Sequence, residues 1–522
     1  MKNVLFVFLM LGTFSLVAQE PAITSSPEMK KGAKTSFWKN FLGQDETGYY
    51  LLFDSNPTGD GRLHLEKYNS NLEFVFAKII DQGVKDINSN IMHYSHKTMF
   101  KNGKIYMFLD GWERDRKKGT FLVKTIDSEG NISDQAIKLD EESAKNIFKT
   151  ANHWVRFSPD GSKFVVLTEK PRAKKENEKI RLQVFSSDDF SNIWKKDLTL
   201  ETPARKNSET QLAVNNDGTV YLYKIKKEGK KNYVHKLHCH GANLEQVSTI
   251  DMKGREPREE QLRFDQDGNF VIHAMMYPPD KFSKGGWSDT WYFVADKEGK
   301  VVTNQIEPLG KDFFKNIIGE KKASKSDDLT LSNMYLKEVL PKSDGGFYLM
   351  TERRTQESEI VNINTKSYNY KIEYDGAYVF SYDAQGKRLW ENFIPVRQKE
   401  KSSNAKVFTG SYAYRIWEEK VHMIWNYTNP IDDTAAGFFG STVRPKKSAF
   451  HVLMTVIDKD GKVITENPNP FKSNLLPNLN AGGKHTLAID PSFFLPTDKG
   501  MVLLSRTNSA IGMYYKLTEI SF

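Results

Sequence analysis

Apolar residues along this chain fall into short runs with two-residue alternation or continuous β-branched and aromatic character, such as Phe164-Val-Val-Leu167 and Tyr378-Val-Phe-Ser-Tyr382. That pattern predicts strands rather than helices. The runs are joined by compact turns of Asp, Asn and Gly, as in Phe157-Ser-Pro-Asp-Gly-Ser-Lys-Phe164, Val214-Asn-Asn-Asp-Gly-Thr-Val-Tyr221, Phe264-Asp-Gln-Asp-Gly-Asn-Phe270 and Lys342-Ser-Asp-Gly-Gly-Phe-Tyr348. Such residues tolerate positive φ or cap their own backbone.

Each of these hairpins is followed by a second one. First hairpins turn at Glu46-Thr-Gly48, Asn102-Gly103, Asp160-Gly161, Asp217-Gly218, Asp267-Gly268, Asp344-Gly-Gly346, Glu418-Glu-Lys420 and Asp498-Lys-Gly500. Second hairpins turn at Asn69-Ser-Asn71, Ser128-Glu-Gly130, Ser187-Asp-Asp189, Gly241-Ala-Asn243, Lys297-Glu-Gly299, Ala384-Gln-Gly386 and Lys459-Asp-Gly461. Four strands per repeat is the blade of a β-propeller. The expected fold is all-β: a single propeller over residues 20–522 with eight four-stranded antiparallel blades, or seven if the first or last pair is not a blade. The last repeat stops at Phe522 without a fourth strand. An N-terminal strand, Ser36 to Leu42 or a nearby stretch, is expected to complete that blade and close the ring.

The unit Phe157 to Thr168, with its Ser-Pro-Asp-Gly turn, resembles the repeat of TolB-type propellers. The resemblance implies the fold, and with it periplasmic proteins that bind other proteins. Related propellers gate serine peptidases. That version needs a Gly-x-Ser-x-Gly elbow and a hydrolase domain, and neither is found here.

Strand alternation places the first-to-second and third-to-fourth turns at one end of the ring, where connections are tight. Second-to-third loops and interblade links lie at the other end and hold most of the length variation: Asp110 to Gly119, Glu169 to Arg181, Lys224 to Lys231, Tyr277 to Thr290, Glu352 to Asp375 and Thr428 to Ser448, with links at Gly310 to Met334, Arg397 to Gly410 and Lys472 to Pro491. Binding usually resides in such loops.

The chain carries a formal net charge of +9, and the second-to-third loops, counted over 112–119, 169–181, 224–231, 277–290, 352–375 and 428–448, together sum to +9. Arg114, Arg116, Lys117, Lys118, Lys174, Lys175, Lys230, Lys231 and Arg444 carry it. Trp112, Trp287, Phe438 and Phe439 lie among these charges, and Trp291 lies close by. The cations with Trp112, Trp287, Phe438 and Phe439 form the candidate binding set; the alternative is that the aromatics pack as lids over blade ends.

Residues 1–19, with Lys2 and an apolar run from Val4 to Val17, read as a secretory signal peptide. The run is too short to span a bilayer. The single cysteine, Cys239, allows no internal disulfide and supplies no lipoprotein acylation site behind the apolar run. The protein is therefore expected to be exported, periplasmic or outer-membrane-associated, not membrane-spanning and not a lipoprotein, with no nucleic-acid partner.

No catalytic residue, metal site or cofactor is expected. His235, His238, Cys239 and His240 are the densest set of potential ligands, but on a strand His238 and His240 face one way and His235 and Cys239 the other. His93 and His96 form a weaker pair. Asp265-Gln-Asp267-Gly268 and Asp458-Lys-Asp460-Gly461 open like calcium loops but lack the terminal Glu. A carboxylate-pair glycosidase leaves no short signature and stays open.

The leading expectation is a non-enzymatic envelope scaffold that docks a protein, itself an envelope or outer-membrane protein, through the basic loop end, as in a transport or secretion machine. The alternative is a carbohydrate-binding or carbohydrate-active propeller acting on acidic polysaccharide. A third reading places the contact on the sides of the blades.

Overall fold

The tight turns form where the sequence places them. In a computed structural model, which describes residues 21–31, 37–54, 62–81, 85–86, 91–146, 149–171, 176–203, 210–228, 232–278, 286–324, 329–362, 367–396, 398–402, 410–428, 450–464, 474–475, 488–509 and 512–522, eight antiparallel sheets follow one another along the chain. The signal peptide at 1–19, Lys174, Lys175, Lys230, Lys231, Phe438, Phe439 and Arg444 lie outside the described residues, as do the side chains of His93 and His96.

Blade 1 is Phe37–Asp45, Gly48–Asp54, Arg62–Tyr68 and Phe74–Asp81. Blade 2 is Ile91–Lys101, Lys104–Glu113, Lys118–Ile126 and Ile137–Ser143. Blade 3 is Asn152–Phe157, Lys163–Glu169, Asn177–Ser186 and Asn192–Pro203. Blade 4 is Thr210–Val214, Val220–Glu228, Asn232–His240 and Glu245–Ile250. Blade 5 is Glu256–Phe264, Phe270–Tyr277, Asp289–Ala295 and Val301–Pro308. Blade 6 is Met334–Pro341, Phe347–Asn362, Ser367–Tyr382 and Arg388–Ile394. Blade 7 is Tyr412–Trp417, Lys420–Thr428, Phe450–Ile457 and Val463–Ile464. Blade 8 is Ala488–Thr497, Gly500–Ser509 and Gly512–Ser521.

Gly512–Ser521 pairs antiparallel with Ala22–Ser25, in the register Ala22 to Ser521, and with Met29–Lys31 farther along. Of the two possibilities expected in that place, Ser36 to Leu42 or a nearby stretch, the nearby stretch fills it, and Phe37 to Leu42 lies on the first strand of blade 1. The apolar residues Phe37, Trp38, Phe41 and Leu42 suit a strand in either position, so composition alone does not separate them.

Eight apolar clusters each straddle two neighbouring blades. Phe108, Phe121, Phe164 and Phe185 join blades 2 and 3, Tyr223, Trp291 and Phe293 join blades 4 and 5, and Phe53, Tyr68, Leu504 and Leu517 join blade 1 to blade 8. Each fully buried large side chain stabilises the ring by about 1.5–3 kcal/mol. First strands touch the first strands of neighbouring blades around most of the ring, so they surround the axis. Fourth strands face outward, with Phe74, Ile79, Ile193, Val247 and Val302 exposed.

At the tight-turn end the connections bond to one another. Lys101 Nζ donates to Pro159 O at 2.8 Å and Asn102 Nδ2 to Asp160 O at 2.7 Å, while Asp160 N and Lys163 Nζ reach Asn216 at 3.0 and 2.6 Å. Gln266 Nε2 donates to Ser343 O, and Ser343 Oγ to Glu419 Oε1 at 2.8 Å. Tyrosines early in second strands reach the next blade: Tyr50 to Ser128 O, Tyr106 to Ser187 O, Tyr221 to the Asp296 and Lys297 carbonyls and Tyr348 to Glu419 O.

The third-to-fourth turns repeat a pattern in which Asp127, Asp296, Asp383 and Asp458 each accept two backbone N–H bonds through Oδ1. The glycine three residues on has φ between 77° and 83°, and a Cβ there would strike the preceding blade: Phe76 for Gly130, Cys239 for Gly299, Tyr292 for Gly386 and Trp390 for Gly461. Glycine is therefore required twice, for dihedral and for proximity. Asp265 and Asp458, in the two calcium-like sequences, use Oδ1 in the same capping role.

Two expected loops are ordered elements. Glu352 to Asp375 is a two-stranded ribbon, because Phe347–Asn362 and Ser367–Tyr382 stay paired far beyond the blade. The link from Gly310 carries two short helices, Lys311–Ile318 and Glu320–Ala323. Phe313 packs on Tyr378 and Phe380 with ring centroids 5.6 and 5.4 Å apart, so the first helix covers an apolar blade end. No helix among the described residues is long and apolar enough to cross a membrane.

Candidate functional site at the loop end of the axis

First strands start at the loop end, so their first side chains surround the axial mouth. Two cavities open there. One, of about 500 Å3, lies between blades 2 and 3 and is lined by Lys97, Asp110, Thr150, Asn152, His153, Trp154 and Arg156, among others. The other, of about 420 Å3, is bordered by blades 5 to 8 and is lined by Glu259, Tyr335, Lys337, Glu352, Arg354, Ser411 and Tyr414, among others.

Alternation explains the first cavity. In Asn152-His-Trp-Val-Arg-Phe157, His153 and Val155 turn into the blade interface and are buried, whereas Asn152 and Trp154 are exposed and Arg156 is half-buried. His153 Nδ1 lies 2.8 Å from Asp110 Oδ1, and its ring stacks on Phe121 at 4.3 Å. Asp140, deeper in the same interface, is bound by Arg181 NH1 at 2.9 Å and accepts from Thr168 Oγ1.

The second cavity is built on a buried lysine. Lys337 Nζ donates to Ser411 Oγ and Tyr412 O, sits 4.2 Å above the Tyr412 ring and lies 3.8 Å from Glu352 Oε2. Burial pushes its amine down to about 8, against the opposing pull of Glu352. Glu352 also accepts from Ser411 Oγ and pairs with Arg354 NH1 at 3.2 Å, and the Arg354 guanidinium lies 4.3 Å over Tyr335. Glu259 and Ser411 hold φ of 55° and 86°, where side chains other than glycine are strained. Burial raises the Glu259 carboxyl although the Leu336 N–H donates to it. The arrangement orders charged groups around a serine hydroxyl whose two hydrogen bonds both stay within the protein.

Of the candidate residues read from the sequence, Arg114, Arg116, Lys117 and Lys118 come together at the loop-end tip of blade 2. Arg116 pairs with Glu113 at 2.9 Å and Lys118 with Glu141, whose carboxyl the bonds from Lys118 and Lys138 push down to about 2. Arg114 and Lys117 are exposed. Trp112, Trp287 and Trp291 retain only 7 %, 2 % and 1 % of their surface, so Trp112 and Trp287 are corrected from exposed platforms to packing residues. Trp287 is held by two backbone hydrogen bonds with Leu331, each 2.9 Å. Trp112 and Trp287 lie three blades apart and are not brought together.

Among the described residues the exposed indole is Trp154, with 41 % of its surface open. Like Lys97, Arg156 and Lys337, it lies on a first strand rather than in the long loops, so loop composition carries no signal for it. The available signal was parity: Trp154 shares its strand face with Asn152 and Arg156 rather than with Val155 and Phe157. In the histidine cluster, His235 bonds Tyr223 at 2.7 Å and buried Cys239 faces blade 5, while His238 and His240 stack side by side, 6.1 Å apart, on the opposite face.

No protein-family model and no curated protein matches the chain. Among solved structures it is similar to prolyl oligopeptidase B from Galerina marginata, with 9 % identity and a TM-score of 0.39 over 91 % of this chain and 56 % of that one. It is also similar to the β-propeller domain of the trilobed protease from Pyrococcus furiosus, with 12 % identity and a TM-score of 0.37 over 83 % and 96 % of the two chains. A third is the WD40 domain of SCAP from fission yeast, with 7 % identity and a TM-score of 0.37 over 96 % and 94 %. The chain thus spans little more than half of the oligopeptidase. Its assignment as an eight-bladed propeller rests on its own strand topology.

Proposed function

We propose that this chain is an exported binding propeller, periplasmic or associated with the outer membrane, that acts as a scaffold by docking an acidic envelope protein on its loop end. The observation that carries this reading is the asymmetry of the two ends. Turns at one end are bonded blade to blade, whereas the other presents Arg114 and Lys117 to solvent with no ion pair to a described residue. Uncommitted charge on a rigid ring favours steered encounter with a partner of opposite sign.

The test is capture from a bacterial envelope extract by the wild-type protein and by the double variant Arg114→Glu/Lys117→Glu, which leaves the Arg116–Glu113 and Lys118–Glu141 pairs in place. A stoichiometric envelope protein should be retained by wild type, weakened about tenfold or more by the variant, and released by salt. Capture unaffected by the reversal would overturn the reading.

A further inference from the structure

Lys97, on the first strand of blade 2, and Arg156, on the first strand of blade 3, are both half-buried and line one cavity of about 500 Å3 at the axis. Among the described residues no carboxylate pairs with either. Burial pushes both groups below their usual values, and the Arg156 charge pushes Lys97 down further. The one carboxylate in the lining, Asp110, is engaged by His153 Nδ1 at 2.8 Å. Two neighbouring, partly desolvated cations without a counter-charge destabilise a folded chain. An anion bound between them would offset that cost and gain affinity from it.

The rest of the lining narrows the class of ligand. Trp154 stands on the same face of its strand as Arg156, with 41 % of its surface open. An open indole on a rigid inner strand is a stacking platform. Thr150 and Asn152 add hydroxyl and amide groups around it, a mixture suited to a ring bearing hydroxyls.

We propose that this cavity is a binding site for an acidic saccharide, whose ring lies against Trp154 and whose carboxylate or sulfate is held by Lys97 and Arg156. The site is independent of protein docking at the tip of blade 2, which uses none of these residues.

Titration calorimetry on the full chain tests it, with trigalacturonate and a sulfated chondroitin disaccharide as probes and maltotriose, AMP and inorganic sulfate as competitors of other classes. Wild type should bind one of the two acidic saccharides at least tenfold more tightly than any competitor, and the stronger of the two identifies the anion. Lys97→Met, Arg156→Met and Trp154→Ala should each weaken that binding tenfold or more. The two Met variants should keep or raise the thermal midpoint, since each removes a charge that no described carboxylate pairs with, Arg156 NH1 donating among the described residues only to the Val155 carbonyl at 2.9 Å. No binding of either acidic saccharide, equal binding of a competitor, or binding indifferent to all three substitutions would overturn the proposal. A fall in midpoint for both Met variants would do the same, because it would show that the cations are structural.

Discussion

The two ends of the ring are made from the same strands and differ in where their polar groups go. At the tight-turn end, backbone carbonyls and side-chain amides of one blade are satisfied by the next, and the turn glycines sit against the preceding blade's aromatic or thiol side chains. At the loop end, polar groups converge on the axis, where charged side chains line two cavities. Regularity marks the end that holds the ring together, and departures from it mark the end equipped to bind.

The largest test of that contrast is Trp287→Ala. If Trp287 is a packing residue of the loop end, its removal should cost about 3–5 kcal/mol in chemical denaturation. A residue that served only binding would leave the unfolding midpoint unchanged.

Next in size is acid. Desolvation pulls His238, His240 and His422, all near tight turns, down to about 4. Between about 4 and 6.5 the unfolded chain binds protons that the folded chain does not, so stability is complete above the unfolded value and is lost as pH falls through this window. Each site contributes on the order of 2–3 kcal/mol. His422→Phe should flatten the fall measured by thermal unfolding. Lys337, lining the second axial cavity at the loop end, acts in a separate window: its amine is held at about 8, so stability should rise as pH passes from there toward the unfolded lysine value, and Lys337→Met should abolish that rise.

The sequence made the blades legible because Asp-Gly turns are local chemistry: positive φ at Gly161, Gly218 and Gly268 is required wherever such a hairpin closes. It also separated the two ends, since strand alternation alone sorts the connections. The site residues were less legible. Trp112 and Trp287 are aromatic residues near charged loops in sequence, yet both are buried, because an aromatic beside a strand end covers apolar edges unless its neighbours lead it to the axis. Lys97, Trp154 and Arg156 come from two blades and meet only through ring geometry, which no single-strand pattern contains. The glycine at the fourth position of each Asp-x-x-Gly turn was visible as a turn former, whereas its contact with the preceding blade was not.

A smaller effect is expected at the tight-turn end from Tyr221→Phe. The Tyr221 hydroxyl lies 3.2 Å from Asp296 O and 3.1 Å from Lys297 O, and the ring stacks on Phe270 at 4.7 Å. Phenylalanine keeps the stacking and deletes the clasp, so the cost should be about 1–2 kcal/mol by denaturant titration. Binding at the axial mouth should not change, because the hydroxyl acts between turns at the opposite end. A loss of binding with unchanged stability would break the division between the two ends.

The smallest expected change is a gain. In the first turn of blade 7, Glu418 and Glu419 both hold positive φ, 47° and 59°, without a glycine between them. Asn102-Gly103 makes the corresponding blade 2 turn with residues suited to that conformation. Glu419 is committed, since its carboxylate accepts from Ser343 and its carbonyl from Tyr348. Glu418 is exposed, with only a 3.6 Å ion pair to Lys420, so its strain has no evident compensation there. Glu418→Asn should therefore stabilise the protein by roughly 0.5–1 kcal/mol, read as a higher thermal midpoint. If the midpoint falls instead, the side chain of Glu418 serves this end in a way that turn geometry does not explain, and regular turns would no longer mark the end without binding function.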